Sequence, residues 1–324
     1  LVTIQEIVQA RESIGKFIRV TPLRYSNYLS ELTGAAIYLK LENEQVTGSF
    51  KLRGALNKMM SLSREEKQRD VITASTGNHG LGVAFAAKEL GITAHVVFPT
   101  EASANKREKL AKAGVDVIQE VGYADIERFA RSIAQERNMI YVSPYNDSAV
   151  IAGAGTVGIE LLEQSEHADV VIVPIGGGGL ISGISIAVKA KSPATKIIGV
   201  QSEVSPEVHD SWKAGHWVHA IESESLAQGL MGGVEPNSIT LDIIQENVDD
   251  IHLVRESSLL AAMGILYEKE SLVIEGAGAA SVADLIEKEH QFSGKTVVAV
   301  ISGGNISEQS LTSLLSKQES KPTG

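Results

Sequence analysis

Chemistry in this chain starts at Gly48-Ser49-Phe50-Lys51-Leu52-Arg53-Gly54-Ala55, where one lysine stands between a small-residue turn and an apolar run that reads as a helix. A lone lysine is usually a solvated surface charge. This one gains meaning from three later segments: Ser75-Thr76-Gly77-Asn78-His79-Gly80, Gly176-Gly177-Gly178-Gly179 and Ser302-Gly303-Gly304-Asn305. Together they supply an amine, a polar turn rich in backbone donors, an anion cradle and a small hydroxyl.

The four glycines follow the apolar run Val170 to Pro174 and precede Leu180-Ile181-Ser182-Gly183-Ile184. Strand, glycine turn and helix is the order that points free N–H groups at a phosphate, and the missing side chains let the backbone approach it. The alternative, a slack surface turn, does not suit four glycines between two apolar segments. A second glycine string, Gly153-Ala154-Gly155-Thr156-Val157-Gly158, matches the dinucleotide fingerprint literally. That fingerprint requires a strand running into it. Here a polar turn, Pro144 to Ser148, comes first, so the string reads as a helix whose small residues allow close packing.

Ser75 to Gly80 follows the apolar run ending at Ala74, and Ser302 ends the run Thr296 to Ile301. Ser75 or Thr76 alone could be a helix N-cap, and His79 alone would more often be structural. In open α/β sheets ligands gather beyond the carboxyl ends of strands. Ser75, Gly176 and Ser302 all fall at such ends, which predicts one shared cleft, with Glu275-Gly276-Ala277-Gly278 as a further wall. An amine, a phosphate cradle and a hydroxyl in one cleft are what pyridoxal phosphate needs.

The positioning elements are legible as alternating units. Strands are expected at Ala36 to Leu41, Asp70 to Ser75, Ala94 to Pro99, Asp116 to Glu120, Ile140 to Ser143, Val170 to Ile175, Lys196 to Ser202, Asp250 to Val254 and Thr296 to Ser302. Helices are expected at Asn78 to Leu90, Ser103 to Lys112, Ala124 to Glu136, Gly155 to Gln164, Ser257 to Lys269 and Gly278 to Lys288, and Thr3 with Glu6 forms a capping box for a first helix. Continuous apolar strands between amphipathic helices predict an α/β protein with parallel, doubly wound sheets. The net charge of -11 disfavours nucleic acid and anionic membrane as partners. The absence of cysteine excludes thiol chemistry and disulfides. No signal-like start and no membrane-length apolar run are visible, so a soluble, cytoplasmic protein is expected.

With these motifs in hand the chain resembles the fold-type II pyridoxal phosphate enzymes, and within them the serine/threonine dehydratase (threonine ammonia-lyase) and serine racemase branch, from about residue 3 to about residue 316. The resemblance implies a tryptophan synthase β-like architecture of two doubly wound open-sheet domains with the cofactor in the cleft between them. Residues 1–69 and 147–319 would form the large cofactor-binding domain, 70–146 the small domain, and 320–324 a frayed tail. It implies that Lys51 forms the Schiff base and later moves the Cα proton, that Phe50 packs near the ring and that Asn78 bonds the 3′-hydroxyl. Gly176, Gly177, Gly178 and Gly179 would bind the phosphate, Gly229 and Glu275 would lie beside the cofactor, and Ser302 would face the pyridine nitrogen. Ser75, Thr76, Asn78 and His79 would surround the substrate carboxylate. Tyr145 and Met231 are candidates for the side-chain pocket. A homodimer and closure of the lobes on substrate are further implications.

The implied reaction is β-elimination from a β-hydroxy amino acid such as L-threonine, L-serine or 3-hydroxyaspartate, giving a 2-oxo acid and ammonia. A neutral Ser302 does not enforce protonation of the ring, which favours prompt expulsion of the leaving group. Racemisation of serine or aspartate is the alternative. It needs a second acid/base on the opposite face of Cα, where serine racemases carry a serine and this chain has the bulkier, β-branched Thr76. A non-catalytic pyridoxal phosphate sensor is a more distant alternative, which an intact Lys51 opposes. Two departures stand out. Leu226-Ala227-Gln228-Gly229 replaces Leu-Ala-Asp-Gly, and Gln201 replaces the metal-site glutamate of racemase-like members. Glu203 and Glu207 remain nearby as oxygen ligands that would suit Mg²⁺ or Ca²⁺.

Overall fold

The computed structural model describes residues 2–75, 77–100, 104–118, 126–165, 167–232, 234–235 and 237–319. Its strands are β1 (Leu23–Tyr25), β2 (Ala36–Leu41), β3 (Val71–Ala74), β4 (Ala94–Val97), β5 (Asp116–Ile118), β6 (Ile140–Tyr141), β7 (Val170–Pro174), β8 (Lys196–Ser202), β9 (Asp250–Val254) and β10 (Thr296–Ile301). They form two sheets, one ordered β1-β2-β10-β7-β8-β9 and the other β5-β4-β3-β6. Every pairing is parallel except the edge strand β1 on β2. The two sheets define two lobes.

The helices are α1 (Ile4–Ile14), α2 (Asn27–Thr33), α3 (Lys51–Ser61), α4 (Asn78–Leu90), α5 (Ala104–Lys112), α6 (Ile126–Glu136), α7 (Ser148–Gln164), α8 (Gly179–Lys191), α9 (Glu207–Ala214), α10 (Thr240–Asn247), α11 (Glu256–Glu268), α12 (Gly276–Glu287) and α13 (Glu308–Glu319). Helices cover both faces of the larger sheet, and α4, α5 and α6 pack on the smaller one. Ile37, Ile172, Ile198 and Val297 point into one core with Leu259, Ala279 and Leu285. Their neighbours Val171, Ile197 and Val298 point into another with Val157, Ile181 and Ile184. The period-two alternation of buried apolar side chains is what a sheet buried on both faces requires. The smaller sheet repeats the pattern: Val71 and Val96 pack with Leu52 and Val83, while Ile72 and Val97 pack with Ala130 and Ile133.

The expected elements are present, with instructive differences. The Thr3–Glu6 capping box forms as read. Helix α7 starts at Ser148 rather than Gly155, because Asp147 accepts hydrogen bonds from Ala149 N and Val150 N and launches it earlier. The fingerprint-like glycines lie inside this helix. A Cβ at Gly153 would run into the carbonyl of Arg53, and one at Gly155 would reach within 2.9 Å of the Gly183 carbonyl. They are a close-packing seam tying α7 to α3 and α8. The edge strand β1 and helices α2, α9, α10 and α13 were not anticipated. The expected strand end at Glu120, the helix starts at Ser103 and Ala124, and the tail 320–324 lie outside the described residues. No helix among the described residues is long and apolar enough to cross a membrane.

Candidate active site

The turn before Lys51 is hooked onto the end of β10. Ser49 and Gly303 form an antiparallel bridge, Phe50 N donates to Ser302 O at 3.1 Å, and Gly304 N donates to Gly48 O at 3.0 Å. Gly48 has φ +75, and a Cβ there would meet the Asn305 side chain, so this turn selects glycine twice over. The hook ends at Lys51, the first residue of α3. Its Nζ donates to the Pro144 carbonyl at 2.9 Å and lies 5.2 Å from the Phe50 ring centroid. Burial pulls the amine down to about 8, only partly opposed by Glu127. A lysine so placed is poised to act as nucleophile and base.

Strand β7 runs into Gly176–Gly179, and α8 begins at Gly179. Gly178 adopts φ +88 and offers the helix no side-chain cap, so the N-terminal donors face the turn with glycine on every side. The Tyr145 ring packs so closely against Gly177 that any side chain at 177 would collide with it. The Gly229 carbonyl lies 3.2 Å from where a Gly176 Cβ would be, which brings Gly229 against the cradle.

Asn78 opens α4 with its amide held from two sides. Its Nδ2 donates to Glu275 Oε1 at 2.6 Å, and its Oδ1 accepts from Asn305 Nδ2 at 2.7 Å. Lys109 donates to Asn305 at 2.6 Å, so the chain of bonds crosses from α5 to the other lobe. The amide carries a second N–H beyond the one given to Glu275. Ser302 is buried, with its Oγ 3.4 Å from the Ala277 carbonyl. The Ser75 hydroxyl accepts from Gly77 N and Gly80 N at 3.1 and 2.9 Å, which braces the polar turn. His79 is buried with Nε2 3.1 Å from the Val142 carbonyl. Burial, helped by Lys51, pushes its imidazole down to about 3, so it is neutral at physiological pH and has no part in proton transfer there. Thr76 lies outside the described residues.

Lys51, Asn78, Glu275, Ser302 and the glycine cradle are thus brought to one cleft. Glu203 and Glu207 are not. Glu203 is exposed, while Glu207 is buried, accepts from Val234 N at 3.2 Å and lies 3.6 Å from exposed His219. Among the described residues no three metal-capable side chains converge. What sequence reasoning missed is a cluster against Tyr145. The Tyr145 hydroxyl donates to Glu127 at 3.4 Å and accepts from Glu235 N at 2.8 Å. Glu235 pairs with Arg131 and accepts from Asn146 at 2.7 Å. Glu127 and Glu235 are far apart in sequence, and no local motif marks either.

The sequence matches the family of pyridoxal-phosphate dependent enzymes over residues 14–303, and the chain belongs to that family. It is 41% identical over 318 residues to an L-threonine ammonia-lyase of Thermotoga maritima, covering 98% of this chain and 79% of the relative. It is 40% identical to a catabolic L-threonine dehydratase of Staphylococcus aureus, covering 94% of this chain and 90% of that one. Its structure superposes on a maize serine racemase with a TM-score of 0.91 at 30% identity, covering 98% of each chain. The cleft fits the family's cofactor on its own chemistry. The glycine cradle is uncapped, and Ser49 Oγ and His79 Nδ1 are buried without a hydrogen-bond partner. Such atoms are costly unless something in the cleft satisfies them.

Proposed function

We propose that this chain is an ammonia-lyase that eliminates water from a β-hydroxy amino acid and releases a 2-oxo acid and ammonium. L-Threonine, giving 2-oxobutanoate, and L-serine, giving pyruvate, are the first candidates, followed by 3-hydroxyaspartate. The observation that carries the reading is the desolvated Lys51 amine, held beside a glycine phosphate cradle and an oriented Asn78. The activities named for the Thermotoga and Staphylococcus relatives support it.

Pyridoxal phosphate, when bound, supplies a carbonyl that condenses with amines and a ring that accepts electrons from the substrate's Cα. The chain's own residues do the rest. Gly176–Gly179 and the α8 N-terminus would hold the phosphate. Asn78 would donate its second N–H to the ring's phenolic oxygen, with Phe50, Gly229 and Glu275 as walls. Ser302 would hydrogen-bond the ring nitrogen without forcing a proton onto it. Ser75, Thr76, Asn78 and His79 would receive the substrate carboxylate. Lys51, as a neutral amine, takes the Cα proton.

Thr76 is the candidate for a second-face acid/base, a role favoured by the fold shared with a serine racemase. Thr76→Ala should then abolish racemisation and spare elimination. A cytoplasmic homodimer, which the family resemblance supports, is checked by sedimentation. The deciding experiment is 2-oxo acid release by the cofactor-loaded protein on L-threonine, L-serine, their D-isomers and the 3-hydroxyaspartates. Rapid release from one of them supports the lyase. None from any, with cofactor bound at Lys51, sinks it in favour of racemisation.

A further inference from the structure

Glycine at 176–179 lets the backbone approach an anion, but it also leaves the direction of each N–H undecided. The peptide unit between Gly177 and Gly178 is the clearest case. Gly178 has φ +88. Turning that one unit over would carry φ to about −90 and exchange the directions of its C=O and N–H, and glycine accepts both arrangements. The run itself does not aim this N–H at a ligand, so a group outside the run has to.

That group stands at the start of α10. Thr240 is fully buried, and its Oγ1 donates to the Gly177 carbonyl at 2.9 Å. Among the described residues every peptide bond is trans, so the C=O and N–H of one unit point in opposite directions. Holding the Gly177 carbonyl toward α10 therefore turns the Gly178 N–H away from α10. The same side chain blocks the far side of the unit, since a Cβ at Gly178 would lie 3.0 Å from Thr240 Cβ. The Tyr145 ring fills the corresponding place at Gly177.

A threonine hydroxyl has one proton to give. Having given it to Gly177, Thr240 is the acceptor toward Ser238, whose Oγ lies 2.9 Å away and is buried as well. The two hydroxyls form a short relay that ends on the Gly177 carbonyl, and each bond polarises the next.

We propose that Thr240 is a positioning residue for the cofactor phosphate: its hydroxyl draws the Gly177 carbonyl out of the cradle and so presents the Gly178 N–H to the phosphate. This rests on the reading of Gly176–Gly179 as the phosphate site. A carbonyl oxygen facing the anion repels it, whereas an N–H facing it donates a charge-assisted bond. One hydroxyl behind the cradle thus decides between the two, acting through the backbone of Gly177.

The test uses Thr240→Val, which keeps the branched shape and removes the donor. Two ligands are compared on the cofactor-free protein: pyridoxal phosphate, and pyridoxal, which offers Lys51 the same carbonyl without a phosphate. Binding is followed by absorbance as the carbonyl condenses with the amine. Pyridoxal phosphate should bind ~10-fold more weakly, or worse, while pyridoxal is unchanged. Thr240→Ser, which returns the hydroxyl, should return the phosphate affinity. Equal weakening of both ligands would mean that Thr240 only supports the fold, and that outcome overturns the proposal. Wild-type protein carrying isotope-labelled glycine gives a reading that needs no variant. The Gly178 amide proton should move downfield on binding pyridoxal phosphate and stay in place on binding pyridoxal; an unmoved signal with both overturns the role. Wild-type protein that holds pyridoxal as tightly as pyridoxal phosphate refutes the phosphate reading of the glycines and this role with it. A wild-type preference for the phosphate that survives intact in Thr240→Val refutes this role alone.

Discussion

Lys51 and Arg53 stand two residues apart on α3, and their surroundings are opposite in kind. Arg53 is fully buried and saturated. Its guanidinium donates to both Glu42 oxygens at 2.8 Å and to Glu160 at 2.7 and 3.0 Å, and Lys40 adds a 2.6 Å bond to Glu160. Two cations face two carboxylates with all four side chains buried. The carboxylates push the Arg53 guanidinium above its ordinary value despite burial. Lys51 is desolvated too, but among the described residues its one hydrogen bond is to a backbone carbonyl and it forms no salt bridge, and its proton is loosely held. One helix thus carries a charge that cannot change and a charge that is ready to, and the difference lies in the partners rather than in the burial.

Lys51→Ala sharpens the contrast most. Turnover should fall by ~10³-fold or more as nucleophile and base are lost. Melting of the cofactor-free protein should not drop, because no ion pair is broken. A fall in stability as large as that of an Arg53 variant would break the comparison. Arg53→Met should destabilise the fold by ~3–5 kcal/mol, since buried Glu42 and Glu160 are left with Lys40 and the more distant Arg11, 3.8 Å from Glu160; denaturant unfolding measures this. Adding Glu42→Gln to Arg53→Met should recover part of the loss.

The cleft's other desolvated base, His79, makes the prediction in pH. Its folded value of about 3 lies below the ordinary 6.5, so the native state binds fewer protons than the unfolded one between those values. Its contribution is fully present above 6.5 and is lost as pH falls toward 3. The effect is up to a few kcal/mol at ~1.4 kcal/mol per unit. His79→Gln, which keeps a donor for Val142, should flatten that slope in unfolding measured across the window. The smallest effect belongs to a partly exposed pair. Asp147 caps α7 and meets Lys58 at 2.7 Å, and Asp147→Ala should cost ~1 kcal/mol in the same unfolding measurement.

These two regions were not equally legible in the sequence. The cleft was readable because its parts are local strings at strand ends: hydroxyls or glycines directly after an apolar run. The alternation of apolar runs likewise announced the two-sided sheets. The Arg53 cluster could not be read, because Lys40, Glu42, Arg53 and Glu160 are brought together by the packing of α3, α7 and β2 and share no spacing. Glu127 and Glu235 were hidden for the same reason. The first turns of α7 were missed because a start rich in small residues carries little helical signal, and only the Asp147 cap reveals it. The three-residue edge strand β1 has too few residues to show an alternation at all.

The glycine seam along α7 has a consequence for how such a catalyst can diversify. Gly153 brings α7 against α3 at Arg53 and Gly54, while Gly155 and Gly158 bring it against α8 at Gly183 and Ile184. The helix bearing the amine and the helix bearing the cradle are therefore spaced by main chain against main chain. At Gly153 and Gly183 the spacing is set by backbone, and at Gly158 by the small Ala187 side chain as well. Residues outside the seam can then be exchanged without recalibrating the distance between these two helices. The seam itself tolerates no drift. What surrounds it becomes an interchangeable part mounted on a fixed gauge.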